Sequence, residues 1–186
     1  ALPVRLRLRA GHAQPQAAPV DSTAQERALT DRTNNPVKPF IIGIAGASCS
    51  GKTELAQRLA QSLGATVCTL DSYYRDLAHL APEERARQNF DIPGALDHEL
   101  LCEQVGALAR GERIEKPVYD FTRHVRSERT EILEPSQTVI VEGLFTLYWE
   151  QLRSLLGLKV FIEASDGICL QRRIDRDVRE RDRTRE

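Results

Sequence analysis

Gly46-Ala47-Ser48-Cys49-Ser50-Gly51-Lys52-Thr53 sets two glycines, a lysine and a hydroxyl at the spacing G-x-x-x-x-G-K-[ST]. Such a stretch can wrap a phosphate. Its glycines let successive backbone N–H groups face one anion, and a helix that comes next adds the positive end of its dipole. Lys52 then reaches the β- and γ-phosphates, and Thr53 offers a hydroxyl to Mg²⁺. All eight residues are therefore candidates for binding a nucleoside triphosphate. Read only as a glycine turn between strand and helix, the octet would need no ligand. No G-x-G-x-x-G occurs, so the dinucleotide fingerprint is absent.

A phosphate cradle alone leaves the reaction open, because motors, switches and kinases share it. Phosphoryl transfer also needs a carboxylate for the acceptor's proton, a metal network and cations that can move. Asp71 comes after the β-prone run Ala65–Leu70, and Glu142 closes the apolar run Thr138–Val141. Either acid could equally be a turn or strand-end residue. Arg172, Arg173, Arg176, Arg179, Arg181, Arg183 and Arg185 crowd one segment with Asp175, Asp177, Glu180 and Asp182 between them. Mixed charge of that kind commonly makes a solvated helix with i,i+4 pairs.

The elements that must position these groups alternate between strand and helix. Phe40–Ala45 reads as a buried parallel strand, and Lys52–Leu63 as a helix with Leu55, Ala56, Leu59, Ala60 and Leu63 on one face and Gly64 as its stop. A polar helical stretch is expected near Pro82–Gln88, and Asp97 caps a helix bearing Leu100, Leu101, Val105 and Leu108. Ile114–Leu133 looks like a small β-flap. Thr138–Val141 and Lys159–Ile162 are further strands, with a helix after Ser165. The order predicts an α/β chain of the P-loop NTPase kind: a doubly wound parallel sheet, a small β-flap and an Arg-rich helical lid.

Four further stretches carry a family resemblance: Asp71-Ser72-Tyr73-Tyr74, Asn89–Asp97, Pro117–Phe121 with His124 and Arg126, and Glu142-Gly143. In order, from about Phe40 to Arg183, they resemble the uridine-cytidine kinases. The resemblance implies transfer of the γ-phosphate of ATP or GTP to the 5′-hydroxyl of uridine or cytidine. It makes Asp71 the base, with Lys52, Arg173 and Arg176 on the transferring phosphoryl. Thr53 and Glu142 would hold Mg²⁺. Asp91 would take the ribose hydroxyls, Tyr119 and His124 the pyrimidine edge, and Phe90 and Phe121 the apolar walls, with Tyr74 also binding substrate. Arg181 would join the nucleotide site and Arg183 the substrate site, while Arg126 stays outside. Ile92-Pro93-Gly94 and Leu96 depart from the family's His-Pro-Asp and Phe, and Asp182 stands where the family commonly has Gly.

Two other readings are weighed against this one. A phosphoribulokinase-like enzyme would take an already phosphorylated sugar and need more cations in the flap. A nucleotide-dependent switch or binding module is the other, although nothing like the guanine-reading N-K-x-D is present.

The bulk numbers fit. The 186 residues, 41% hydrophobic and 28% charged with a formal net charge of −1, suit one α/β domain and give no basic face for nucleic acid. No apolar run could span a membrane. Cys49, Cys68, Cys102 and Cys169 are spaced unlike a zinc knuckle or a redox pair, and are expected as reduced thiols in a cytoplasmic protein. Residues 1–38 open with Arg5, Arg7 and Arg9 and turn Ala-, Gln- and Pro-rich, so a disordered leader is expected, with only a faint likeness to a transit peptide. The kinase domain is expected over 39–186, shortened at its C-terminal end and therefore weakly active alone. Family likeness further implies a homo-oligomer, a tetramer.

Overall fold

Phe40–Gly46 (β2) is apolar at almost every position because both of its faces are covered, and all but Phe40 are buried. In the computed structural model, which describes residues 5–10 and 38–180, this strand lies at the centre of a five-stranded sheet ordered β1-β7-β2-β6-β3. Thr66–Thr69 (β3), Thr138–Glu142 (β6) and Leu158–Glu163 (β7) run parallel to it. Arg5–Ala10 (β1) pairs antiparallel with β7 at the edge.

The strand at Arg5–Ala10 differs from the disordered leader expected over 1–38. Its Arg/Leu alternation has the period of two that a strand requires, and charged residues are tolerated on a sheet edge. Composition points to disorder there; periodicity points to a strand, and periodicity wins. The rest of that leader, residues 1–4 and 11–37, lies outside the described residues.

Helices cover both faces. On one side Lys52–Leu63 (α1) brings Ala56, Leu55, Leu59 and Ala60 onto Ile42, Ile44, Ile140, Val160 and Ile162. On the other, His98–Ala109 (α3) and Glu150–Leu155 (α4) bring Leu101, Val105, Leu108 and Leu152 onto Ile41, Cys68, Val139 and Val141. Adjacent residues of β2 and β6 therefore serve opposite cores, as the pleat dictates. Packing positions α1: its exposed Arg58–Glu54 pair contributes only a few tenths of a kcal/mol. Asp97 caps α3 as expected, its Oδ1 accepting from Leu100 N at 3.3 Å.

β3 runs into a 3₁₀ turn, Leu70–Tyr73, and Pro82–Ala86 forms a short helix, α2. Ile114–Asp120 (β4) and Val125–Leu133 (β5) make an antiparallel hairpin, which is the expected flap. Its register slips between Pro117 and Tyr119, where proline has no N–H for the ladder. A lone hairpin is marginal in water. This one leans on the turn Leu70–Tyr73, and Arg126 ties it there: Nε donates to Tyr74 O at 2.8 Å, and Nη2 to Tyr73 O and to Asp97 Oδ2. Asp166–Glu180 (α5) comes after β7 and carries Arg173 and Arg176 of the expected lid. Among the described residues, no helix is long and apolar enough to cross a membrane.

Candidate functional site

The C-terminal ends of β2, β3 and β6 open onto a cleft of about 440 Å³, the place where open α/β sheets take ligands. Its floor is the loop after β2. Gly51 there has φ of 101°, a left-handed conformation natural only to glycine, and Leu55 N donates back to Gly51 O to start α1. Cys49 holds φ of 61° in the same loop. Lys52 Nζ donates to Ala47 O at 3.4 Å, which lays the side chain across the loop.

Two carboxylates stand beside this floor. Glu142 is 3% exposed, and Thr53 Oγ1 donates to its Oε2 at 3.3 Å. Burial raises the Glu142 carboxyl above its ordinary value; the Thr69 side chain and Lys52 oppose this, and the nearby Asp71 carboxylate adds to it. Asp71 itself lies in the turn Leu70–Tyr73, its N–H bonded to Thr69 Oγ1. Gly143 keeps that turn close: a Cβ at this glycine would lie 2.5 Å from Leu70 Cβ. Thr53 and Glu142 suit a divalent cation, since a hydroxyl from the first turn of α1 and a carboxylate from the end of β6 are hard oxygen donors whose remaining partners would be phosphates and water. Among the described residues no cluster of three His, Cys, Asp or Glu exists that could hold a metal unaided.

The other end of the cleft is aromatic. Tyr74 meets Phe90, Tyr119 and Phe121 with ring centroids 5.5, 5.3 and 6.4 Å away. Phe90 and His124 stack at 4.7 Å and 20°. A third ring between them would need roughly 7 Å, two stacking gaps, so a planar ligand packs against this pair and not within it. Tyr119 is 6% exposed, and its hydroxyl finds no partner among the described residues. A buried unmatched O–H costs on the order of 1–3 kcal/mol, a penalty that a ligand acceptor would remove. Burial pushes the Tyr119 phenol up to about 12, with Asp76 adding to the effect, so it is a donor.

Helix α5 closes the third side. Arg173 Nη1 donates to Asp91 Oδ2 at 2.6 Å, joining the helix to the loop before the turn at Pro93. Both side chains are over a third exposed, so the pair adds at most about 1 kcal/mol. Arg172 Nη1 reaches Cys49 O at 3.4 Å.

Of the residues expected at the site, Ser48, Cys49, Gly51, Lys52, Thr53, Asp71, Tyr74, Phe90, Asp91, Tyr119, Phe121, His124, Arg173 and Arg176 line this one cleft. Gly46, Ala47, Ser50 and Glu142 do not line it; Ser50 lines a separate shallow depression with Leu55 and Ile162. Arg181 and Arg183 lie outside the described residues. Ala86, Gln88, Asn89, Leu144 and Arg172 also line the cleft, without having been expected there. Arg172 is within reach of sequence reasoning, one residue before Arg173 and four before Arg176. Nothing in Ala86 or Leu144 marks them.

A family model described as "Phosphoribulokinase / Uridine kinase family" matches residues 41–186. A protein named uridine kinase from Vibrio cholerae serotype O1 is 46% identical over 153 residues, 78% of this chain and 72% of the relative. Another so named, from Streptococcus agalactiae serotype V, is 43% identical over 150 residues, 79% of this chain and 72% of the relative. Among solved structures, one described as a fructose transport system kinase from Silicibacter sp. TM1040 superposes with a TM-score of 0.66 at 22% identity, covering 84% of this chain and 80% of that one. One described as a possible uridine kinase from Bacillus stearothermophilus gives 0.53 at 20%, covering 85% and 91%. At those identities the two structures speak for the fold alone.

Proposed function

The chain belongs to the phosphoribulokinase/uridine kinase family, and from that premise we propose that it moves the γ-phosphate of ATP or GTP to the 5′-hydroxyl of uridine or cytidine, giving UMP or CMP. One observation carries the reading: the phosphate loop and Tyr119, whose buried hydroxyl is unmatched among the described residues, line the same cleft. The turn that holds Asp71 runs straight into Tyr74, so the acid sits in the chain between the phosphate end and the aromatic end. A nucleoside has matching parts in matching order.

In this reading the base lies against Phe90 and Phe121 with its edge toward Tyr119 and His124, while Asp91 accepts from the ribose 2′- and 3′-hydroxyls. A histidine can donate or accept, so one pocket takes uracil or cytosine. Asp71 accepts the proton of the 5′-hydroxyl as that oxygen bonds to the γ-phosphorus. The bond to the bridging oxygen breaks and the nucleoside diphosphate leaves. Lys52, Arg173 and Arg176 neutralise the charge that builds on the phosphoryl oxygens; family likeness adds Arg181 for the nucleotide and Arg183 for the substrate. Mg²⁺, held by Thr53 and Glu142 together with the phosphates, would supply charge neutralisation and alignment of the donor. A cytoplasmic location and a tetrameric assembly enter the proposal from family likeness.

A sugar-phosphate acceptor is disfavoured by the aromatic end. Arg126, a cation of the flap, is engaged by Asp97 and two backbone carbonyls. The test is ADP release with different acceptors. Stoichiometric release with uridine or cytidine supports the reading; release only with a pentose phosphate, or equally without any acceptor, overturns it.

A further inference from the structure

Three residues before Tyr119 on β4 stands a lysine that no part of the proposed chemistry uses. Lys116 is 7% exposed. Its Nζ donates to Ser72 Oγ at 3.0 Å and pairs with Glu131 Oε2 at 3.0 Å. Glu131 is its cross-strand partner on β5, and Ser72 is the residue after Asp71. The lysine therefore reaches out of the hairpin into the turn Leu70–Tyr73.

A second tie runs alongside. Tyr73, fully buried, donates its hydroxyl to Gln104 Oε1 at 2.7 Å, and Gln104 Nε2 donates to Glu115 O at 2.9 Å. Residues 115 and 116 of the strand are thus each connected to residues 73 and 72 of the turn. The charge is the unusual part. Burying an ammonium is costly, and an apolar side chain of similar length would fill the space with less penalty. The partner carboxylate is 58% exposed, so the ion pair itself offsets little of that cost. What a buried ammonium supplies and a methyl group cannot is direction, a bond aimed at one oxygen of one turn.

We propose that Lys116 is a positioning residue: its bond to Ser72 fixes the turn Leu70–Tyr73, and with it the Asp71 carboxylate, against the strand that bears Tyr119. This rests on the nucleoside-kinase reading, in which the nucleoside is gripped on β4 and must meet its base on the turn. A displacement of about 1 Å between the two is enough to cost on the order of 100-fold in rate.

The experiment measures kcat and the KM values for uridine and ATP in four single variants and one double variant. Lys116→Met lowers kcat by about tenfold or more while KM for ATP stays within about threefold. Ser72→Ala, which keeps the lysine paired with Glu131, falls in the same direction. Glu131→Gln, which keeps the bond to Ser72, retains kcat within about twofold. In the Asp71→Asn background Lys116→Met adds less than about twofold, because the residue it positions has lost its function. A merely structural lysine gives full, multiplicative losses in both backgrounds, and that result, or an unchanged kcat in Lys116→Met, overturns the proposal. Should wild type itself show no uridine-dependent ADP release, the function is wrong and the tether is tested separately: amide exchange at residues 70–74 rises in Lys116→Met if the tether exists and is unchanged if it does not.

Discussion

Thr53 and Glu142 lie 89 positions apart in the chain, yet the hydroxyl of one donates to the carboxylate of the other at 3.3 Å. The contact exists because β2 and β6 are parallel neighbours in register, so the loop leaving β2 meets the last residue of β6. It ties the first turn of α1 to the end of β6. Thr53→Ala and Glu142→Gln should each raise the Mg²⁺ concentration for half-maximal activity by about 10- to 100-fold. A Mg²⁺ titration of ADP release checks this, and an unmoved midpoint in both would remove them from the metal site.

Asp71→Asn keeps the shape of the turn and removes the proton acceptor. The loss of kcat should be about 10²- to 10⁴-fold, with KM for uridine changed by no more than a few-fold. A variant that phosphorylates uridine at the wild-type rate would end the assignment of Asp71 as base.

Tyr119→Phe separates binding from folding. Its hydroxyl is buried without a partner among the described residues, so deleting it should leave the melting temperature unchanged or slightly higher. KM for uridine should rise about tenfold through loss of one hydrogen bond. Since burial pushes the phenol up to about 12, the donor form is present at every pH below that value. The ratio of wild-type to variant KM should accordingly stay flat from about pH 6 to pH 10. A ratio that changes as pH rises within that window would mean the phenol titrates there.

The thiols should differ sharply toward alkylation. Burial pushes the Cys68 thiol up to about 11, so only about one molecule in a thousand carries the thiolate at pH 8, and Cys169 is buried as well. Iodoacetamide at pH 8 should label Cys49 first, in the phosphate loop, and saturating ATP should protect it. Mass spectrometry of the peptides reads both effects; labelling of Cys49 that ignores ATP would place the nucleotide elsewhere.

Much of this is legible in the residues, and for reasons that can be named. β2 and β6 announce themselves because a strand covered on both faces must be apolar throughout, and the octet announces itself because its glycine and lysine spacing is set by backbone geometry. The strand Arg5–Ala10 passes for disorder because charge and the low complexity nearby outweigh a clean alternation. Helix α4, six residues long, gives no periodic signal to find. Arg126 is a brace for the hairpin. Lys116 escapes altogether: a lysine in a polar flap looks solvated until the partner strand and the turn are seen to enclose it. Such side chains are decided by what packs over them, which no local pattern encodes.

Gly143 has a consequence beyond its own backbone. With no side chain it lets Leu70 settle directly against the end of β6, so the residue after Leu70 and the residue before Gly143 are held by one steric stop. Those residues are Asp71 and Glu142. The spacing between proton acceptor and metal ligand is therefore gauged by the absence of a single carbon, and any methyl added there would pry the two acids apart before it disturbed either one's chemistry.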